Sequence, residues 1–208
     1  MSLIFGFFLA AALAPATPSG PAAWLSDNDY PAGAKRRHEE GRVGFELLIS
    51  PEGRVARCTI ESSSGFPELD ENTCVALTAR SKWKPATDEN DVATYSLYKG
   101  RMTWWHPDRR GNIPRKGPPP PPAPNLALQV ERLPDGSTDA IVALIVKVDP
   151  SGHIVVCQPS AREKAAEILV RTACEQAKSM YNSQTLDNAG EPVGVITGYS
   201  VSFTATMK

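Results

Sequence analysis

The chain carries almost no net charge, with 22 Lys and Arg against 23 Asp and Glu, a formal charge of -1. Without a surplus of either sign it has no global attraction to nucleic acid or to an anionic membrane surface. It also lacks a long hydrophobic run. The most apolar stretch, Leu3 to Ala14 (LIFGFFLAAALA), is soon interrupted by Pro15, Thr17, Pro18 and Ser19, whereas a helix crossing a bilayer needs about 20 apolar residues. No membrane-spanning helix is expected there. The Ala14-Pro15-Ala16 step that ends the run fits the small-x-small pattern of a signal-peptidase site, although no Lys or Arg precedes the run. Residues 1–16 therefore read as an export signal, and residues 17–25 as a disordered lead into the first domain. Catalytic patterns are missing too. No G-x-S-x-G surrounds Ser62, Ser63 and Ser64, spacing places neither His38 nor His106 as their base, and the four cysteines and three histidines form no C-x-x-C or H-x-x-x-H. An enzyme, a metal site or a cofactor is not expected. Serine and glycine after a strand suit a turn into a helix instead.

What is present is an ordinary globular composition, 41% hydrophobic and 22% charged over 208 residues, enough for one domain or two small ones. The 19 prolines are clustered, marking boundaries more than disorder. The cysteines are even in number, which in an exported chain favours disulfides. A repeat organises them. Ser50-Pro51-Glu52-Gly53 aligns with Asp149-Pro150-Ser151-Gly152 at an offset of 99 (152 minus 53). The same offset sets Val43, Phe45, Leu47 and Ile49 on Val142, Leu144, Val146 and Val148, and Cys58 on Cys157. Cys74 then matches Cys174 at an offset of 100 (174 minus 74). Four cysteines allow three connectivities. Of these, a duplication predicts Cys58 with Cys74 and Cys157 with Cys174.

Each half reads in the same order. Residues 41–50 alternate as a strand with one buried face, and a turn at Pro51 to Gly53 reverses the chain into a partner strand over 54–62. A helix follows over 68–80, acidic at its start and basic at its end. Residues 92–105 and 193–205, rich in β-branched and aromatic side chains, supply a third strand to each half. The expected fold class is α+β, with two tandem two-layer modules. Each is a three-stranded antiparallel sheet packed with one or two helices and stapled by one disulfide. The modules span 26–108 and 126–208, with a proline-rich linker over 109–125 (Pro114, Pro118 to Pro122, Pro124) that should leave them separable.

The ordered motifs of the first half resemble the C-terminal domain of TonB-type energy transducers. They are Tyr30-Pro31 opening a short helix, Gly41-x-Val43, the Pro51-Glu52-Gly53-Arg54-Val55 turn, Ser62-Ser63-Ser64-Gly65 before Leu69-Asp70, and Trp83-Lys84-Pro85-Ala86. The second half keeps the turn, the cysteines and the last strand, and resembles a degenerate copy. The resemblance implies a periplasmic binding protein without a cofactor. Its partner would be an extended peptide, such as a segment of a TonB-dependent outer-membrane receptor, added as a strand to the third strand's edge around Ala93 to Thr103. The residues so implicated are Tyr30, Pro31, Lys35, Thr94, Tyr95, Leu97, Tyr98 and Arg101. The family's transducers carry an uncleaved membrane helix that this sequence does not show, so the resemblance implies receptor binding more directly than energy transduction. The alternative is a soluble periplasmic adaptor or scaffold that kept the fold alone.

Three local features have blander readings. Lys35-Arg36-Arg37-His38 is followed by Glu39-Glu40, as on a solvated helix face. Trp104-Trp105 fits a binding surface or a core cap equally. Arg109, Arg110, Arg115 and Lys116 need only keep the linker soluble.

Overall fold

A computed structural model describes residues 12–19, 27–109 and 123–206. Strand β1 (Thr17–Ser19) comes first, followed by the short helix α1 (Ala32–Arg36) and the hairpin β2 (Gly41–Ile49) and β3 (Val55–Ser62). Helix α2 (Pro67–Arg80), short strands β4 (Lys82–Lys84) and β5 (Ala86–Thr87), and the long β6 (Ala93–Trp104) complete the first module. The second contains β7 (Leu126–Val130), β8 (Asp139–Val148), β9 (Ile154–Pro159), α3 (Glu167–Met180), β10 (Thr185–Leu186), β11 (Pro192–Val193) and β12 (Val195–Ala205). The linker's Pro114 and Pro118 to Pro122, with Arg110, Arg115 and Lys116, lie outside the described residues, as does the start of the export-signal reading.

The local reasons for these elements match the sequence reading. Helix α2 starts on Pro67, whose missing N–H costs nothing at that position, carries Glu68 and Asp70 in its first turn and ends on Arg80. The turn between β2 and β3 holds Gly53 at φ 72°. A Cβ there would lie 2.2 Å from the Trp83 carbonyl oxygen, while Trp83 N–H donates to the Gly53 carbonyl at 3.1 Å. Gly53→Ala should therefore lower stability by more than about 1 kcal/mol, read as a lower urea midpoint at unchanged slope. An unchanged midpoint would show that the turn relaxes away from β4. Gly152 repeats the arrangement at φ 93°, against Ser183 and Gln184.

Both disulfides pair within modules, Cys58 with Cys74 (Cα–Cα 5.5 Å) and Cys157 with Cys174 (5.8 Å), each tying a strand to a helix. The two three-stranded sheets are antiparallel, as expected. They do not stand apart, however. They join edge to edge in one sheet of order β3-β2-β6-β12-β8-β9, with β5 and β7 pairing beside that path. The seam is a short parallel pairing, Tyr95 opposite Val195 and Ser96 opposite Ile196. The two strands are equivalents in the repeat, since Ser96 opposite Ile49 corresponds to Val195 opposite Val148, and they pair one residue out of that equivalence.

Equivalent strands lying side by side and parallel are related by rotation about an axis along the strands, which turns one module over. The two helices consequently pack on opposite faces. Leu77 of α2 joins Phe45, Leu47 and Ile49 in one core cluster, while Ala173 and Ala177 of α3 join Val142, Leu144, Val146 and Val148 in another. Leu48, between Leu47 and Ile49, points the other way. It is 1% exposed because it enters the second module's cluster, against which Ala56, Tyr95 and Leu97 also pack. Reciprocally, Ile196, Ile145 and Val156 reach the first module's cluster. Lys147 crosses the seam to Asp88 (3.0 Å) and Glu89 (2.9 Å), and Arg57 donates to the Leu186 carbonyl. The expected separability gives way because each sheet left an edge unpaired and half a face apolar, and each module covers the other's.

The N-terminal segment also differs from expectation. Thr17–Ser19 is a strand antiparallel to β4, not disordered, and Leu13 and Ala16, inside the reading of an export signal, are buried in the first module's cluster.

Candidate peptide-binding edge

The third strand of the first module, β6, has one edge paired along its length with β2, from Ser96 opposite Ile49 to Trp104 opposite Gly41. Its other edge meets β12 at Tyr95 and Ser96, while β5 pairs with Ala93 and Thr94 beyond the end of β2. Strand β12 then pairs with β7 from Val201 onward. From Leu97 to Trp104, β6 has no strand neighbour on this side among the described residues.

The faces of this strand differ. Tyr98 packs against Trp83 at 4.6 Å between ring centroids, the rings tilted by 57°, and lies 6.5 Å from Phe45, and Met102 joins the same cluster. Gly100 lies beneath the Phe45 ring, where a Cβ would come within 2.5 Å of Cζ. On the opposite face Lys99 bridges Glu46 at 3.2 Å and Glu61 at 2.9 Å, with Arg101 exposed beyond it. Burial opposes the Lys99 charge, and the two carboxylates more than offset it, leaving the ammonium above its usual range. The edge thus has an apolar underside and a polar upper side of mixed sign.

The sequence-derived residues fall into three groups. Leu97, Tyr98 and Arg101 lie on the open stretch. Tyr95 already has β12 as its neighbour on that side, and Thr94 pairs with β5. Tyr30, Pro31 and Lys35 form a separate corner around α1, where Tyr30 is buried and packs edge-on against Trp104 (5.4 Å) and His106 (5.8 Å). Its hydroxyl donates to the Glu39 carbonyl, and burial, with Glu40 and Glu39 nearby, pushes the phenol above its usual range. Pro31 precedes α1, and the Lys35 carbonyl accepts a hydrogen bond from His106 Nε2 at 3.0 Å. Trp104 is a core cap: it is 5% exposed and its Nε1 donates to Thr73 Oγ1 at 2.8 Å.

The serine run has a structural role. Ser63 Oγ and Ser64 Oγ donate to Asp70 at 2.5 and 2.8 Å, as does the Ser64 N–H at 2.8 Å. Burial raises the Asp70 pKa, and these bonds more than reverse it. Arg37 of the basic patch pairs with Glu39 and Glu68. Among the described residues no cluster of His, Cys, Asp and Glu could hold a metal ion.

Residues 26–102 match the family described as Gram-negative bacterial TonB protein C-terminal. They form a TonB C-terminal domain. The match ends at Met102 within β6 and does not extend to the second module, whose likeness to the first rests on strand order, turn and disulfide. No curated protein matches the chain. TonB C-terminal domains are periplasmic protein-interaction domains of a family tied to energised transport, and no helix among the described residues is long and apolar enough to cross a membrane. The sequence reading missed Ser96, a buried polar residue at the seam whose hydroxyl donates to the Ile196 carbonyl at 2.8 Å. Its place opposite Ile196 carries no local signal. Leu48 did leave one, since Leu47-Leu48-Ile49 breaks the alternation of a strand with a single buried face.

Proposed function

We propose that this is a periplasmic TonB-family protein that captures an extended peptide segment of a partner, such as a TonB-dependent outer-membrane receptor, along the Leu97–Trp104 edge of its TonB C-terminal domain, in support of energised transport. The observation that carries this reading is the open stretch of β6 within the family-matched module. A strand's unpaired N–H and C=O groups bind another extended backbone without demanding a particular sequence, and the Tyr98–Met102 underside and Lys99–Arg101 upper side would supply selectivity. A second reading, an adaptor or scaffold that kept the fold, is favoured by the seam: β12 shortens the available edge at Tyr95 and Ser96 and fuses the two modules.

The test is an NMR titration of the oxidised full chain with receptor N-terminal peptides. Shifts concentrated on Leu97 to Trp104 are expected, with the Tyr30 corner responding through Trp104. Silence along this strand at millimolar peptide would exclude capture there and leave the scaffold.

A further inference from the structure

The segment ahead of the first module lies across the seam as a bound peptide would. Leu13 makes two hydrogen bonds to one side chain of the second module: its N–H donates to Gln158 Oε1 at 2.9 Å, and its carbonyl accepts from Gln158 Nε2 at 3.0 Å. The next residue turns to the first module, where Ala14 and Thr87 exchange N–H and carbonyl bonds, both 2.9 Å. Ala16 N–H then points at Ser96 Oγ, 3.4 Å away, and Thr17–Ser19 pair with Lys84, Trp83 and Lys82. Leu13 is 4% and Ala16 6% exposed, within a cluster containing Trp83, Ala86 and Ile196 with Ile145 and Val156.

We propose that this groove, floored by Ile145, Ile196 and Ala86 and edged by Thr87, Ser96 and Gln158, is a second peptide-binding site. It takes a neutral extended segment with one leucine anchor and small residues after it, and its resident ligand is Leu13–Ser19. Three features support a site for a separable ligand. Recognition is through backbone groups, one apolar side chain fills the floor, and the occupant itself carries no charged side chain. The occupant touches both modules, so filling the groove stabilises the seam. Ser96 links the two, receiving Ala16 N–H while donating to the Ile196 carbonyl across β6 and β12. Proteolytic removal of the segment would open the groove to a partner segment of the same chemistry. This inference uses a different surface from the open edge of β6 and stands or falls independently of it.

The test uses the full oxidised chain carrying Leu13→Asp, which makes the anchor incompatible with an apolar floor, and a synthetic peptide of residues 12–19. In the variant, the Thr87 amide should exchange at least about tenfold faster than in the wild type, with shifts at Ser96, Ile196 and the Gln158 side-chain amide. Adding the peptide in trans should return these signals toward the wild-type positions in a saturable way, while a peptide carrying the same substitution should not. Gln158→Ala, which keeps the apolar contact and removes two hydrogen bonds, should give the same Thr87 effect in weaker form if Leu13→Asp does not fold. Unchanged Thr87 exchange in both variants, or variant signals that do not move with millimolar peptide, would overturn the proposal.

Discussion

Leu48→Ala should lower the unfolding free energy by about 2–5 kcal/mol, the range for truncating a buried leucine, even though the residue belongs to the TonB C-terminal domain and its side chain lies in the second module's core. The cost has two parts: the transfer free energy of the deleted methyl groups, and the cavity left in the second module's cluster, which an eight-stranded sheet has little freedom to close. The distinctive consequence is cooperativity. Because each module's cluster includes side chains from the other, the two halves should unfold in one transition, and a first-module substitution should deprotect second-module amides on β8 and β12. Urea denaturation followed by hydrogen exchange checks this. Two separate transitions, only the first of them shifted, would mean that the seam does not couple the modules. Val75→Ala is the control: Val75 is 57% exposed on α2 and should change stability by less than about 0.5 kcal/mol.

Replacing Cys58 and Cys74 together by serine should cost about 2–5 kcal/mol. The bridge joins positions 16 apart, between β3 and α2, and constraint of the unfolded chain over a loop of this size is worth about 3 kcal/mol. It also holds α2, with its buried Leu69, Thr73, Ala76 and Leu77, against the sheet. The same change at Cys157 and Cys174 should be of similar size. Removing both bridges should not be additive, because the modules share their cores. Paired denaturation curves with and without reductant measure the effect. A loss below about 1 kcal/mol would show that packing alone holds α2 in place.

Much of this architecture was legible in one dimension. The 99-residue repeat of Pro-x-Gly turns and alternating apolar positions located β2, β3, α2, β6 and their second-module equivalents. The cysteine spacing gave the correct pairs, and Asp70 after the serine run explains those serines as a turn. The smaller strands β5, β10 and β11 were not legible, because pairings this short have no periodicity. Nor was the N-terminal strand, because the Leu13-Ala14-Pro15-Ala16 step just before it reads equally as the end of an export signal.

The candidate edge shows where such reading stops. Alternation and β-propensity identify a strand, and the family resemblance makes this one the candidate binding strand, but which side of it is vacant depends on what the rest of the chain does. Sequence by itself determined the modules, since turns, periodicity and cysteine spacing act between residues close along the chain. Only tertiary structure decided that Ser96 meets Ile196, that Leu48 serves the other module's core and that the open edge begins at Leu97. Those contacts join residues about a hundred positions apart, and they form because two incomplete sheets cover each other's edges, a requirement that belongs to the assembled surfaces and leaves little mark on any local stretch.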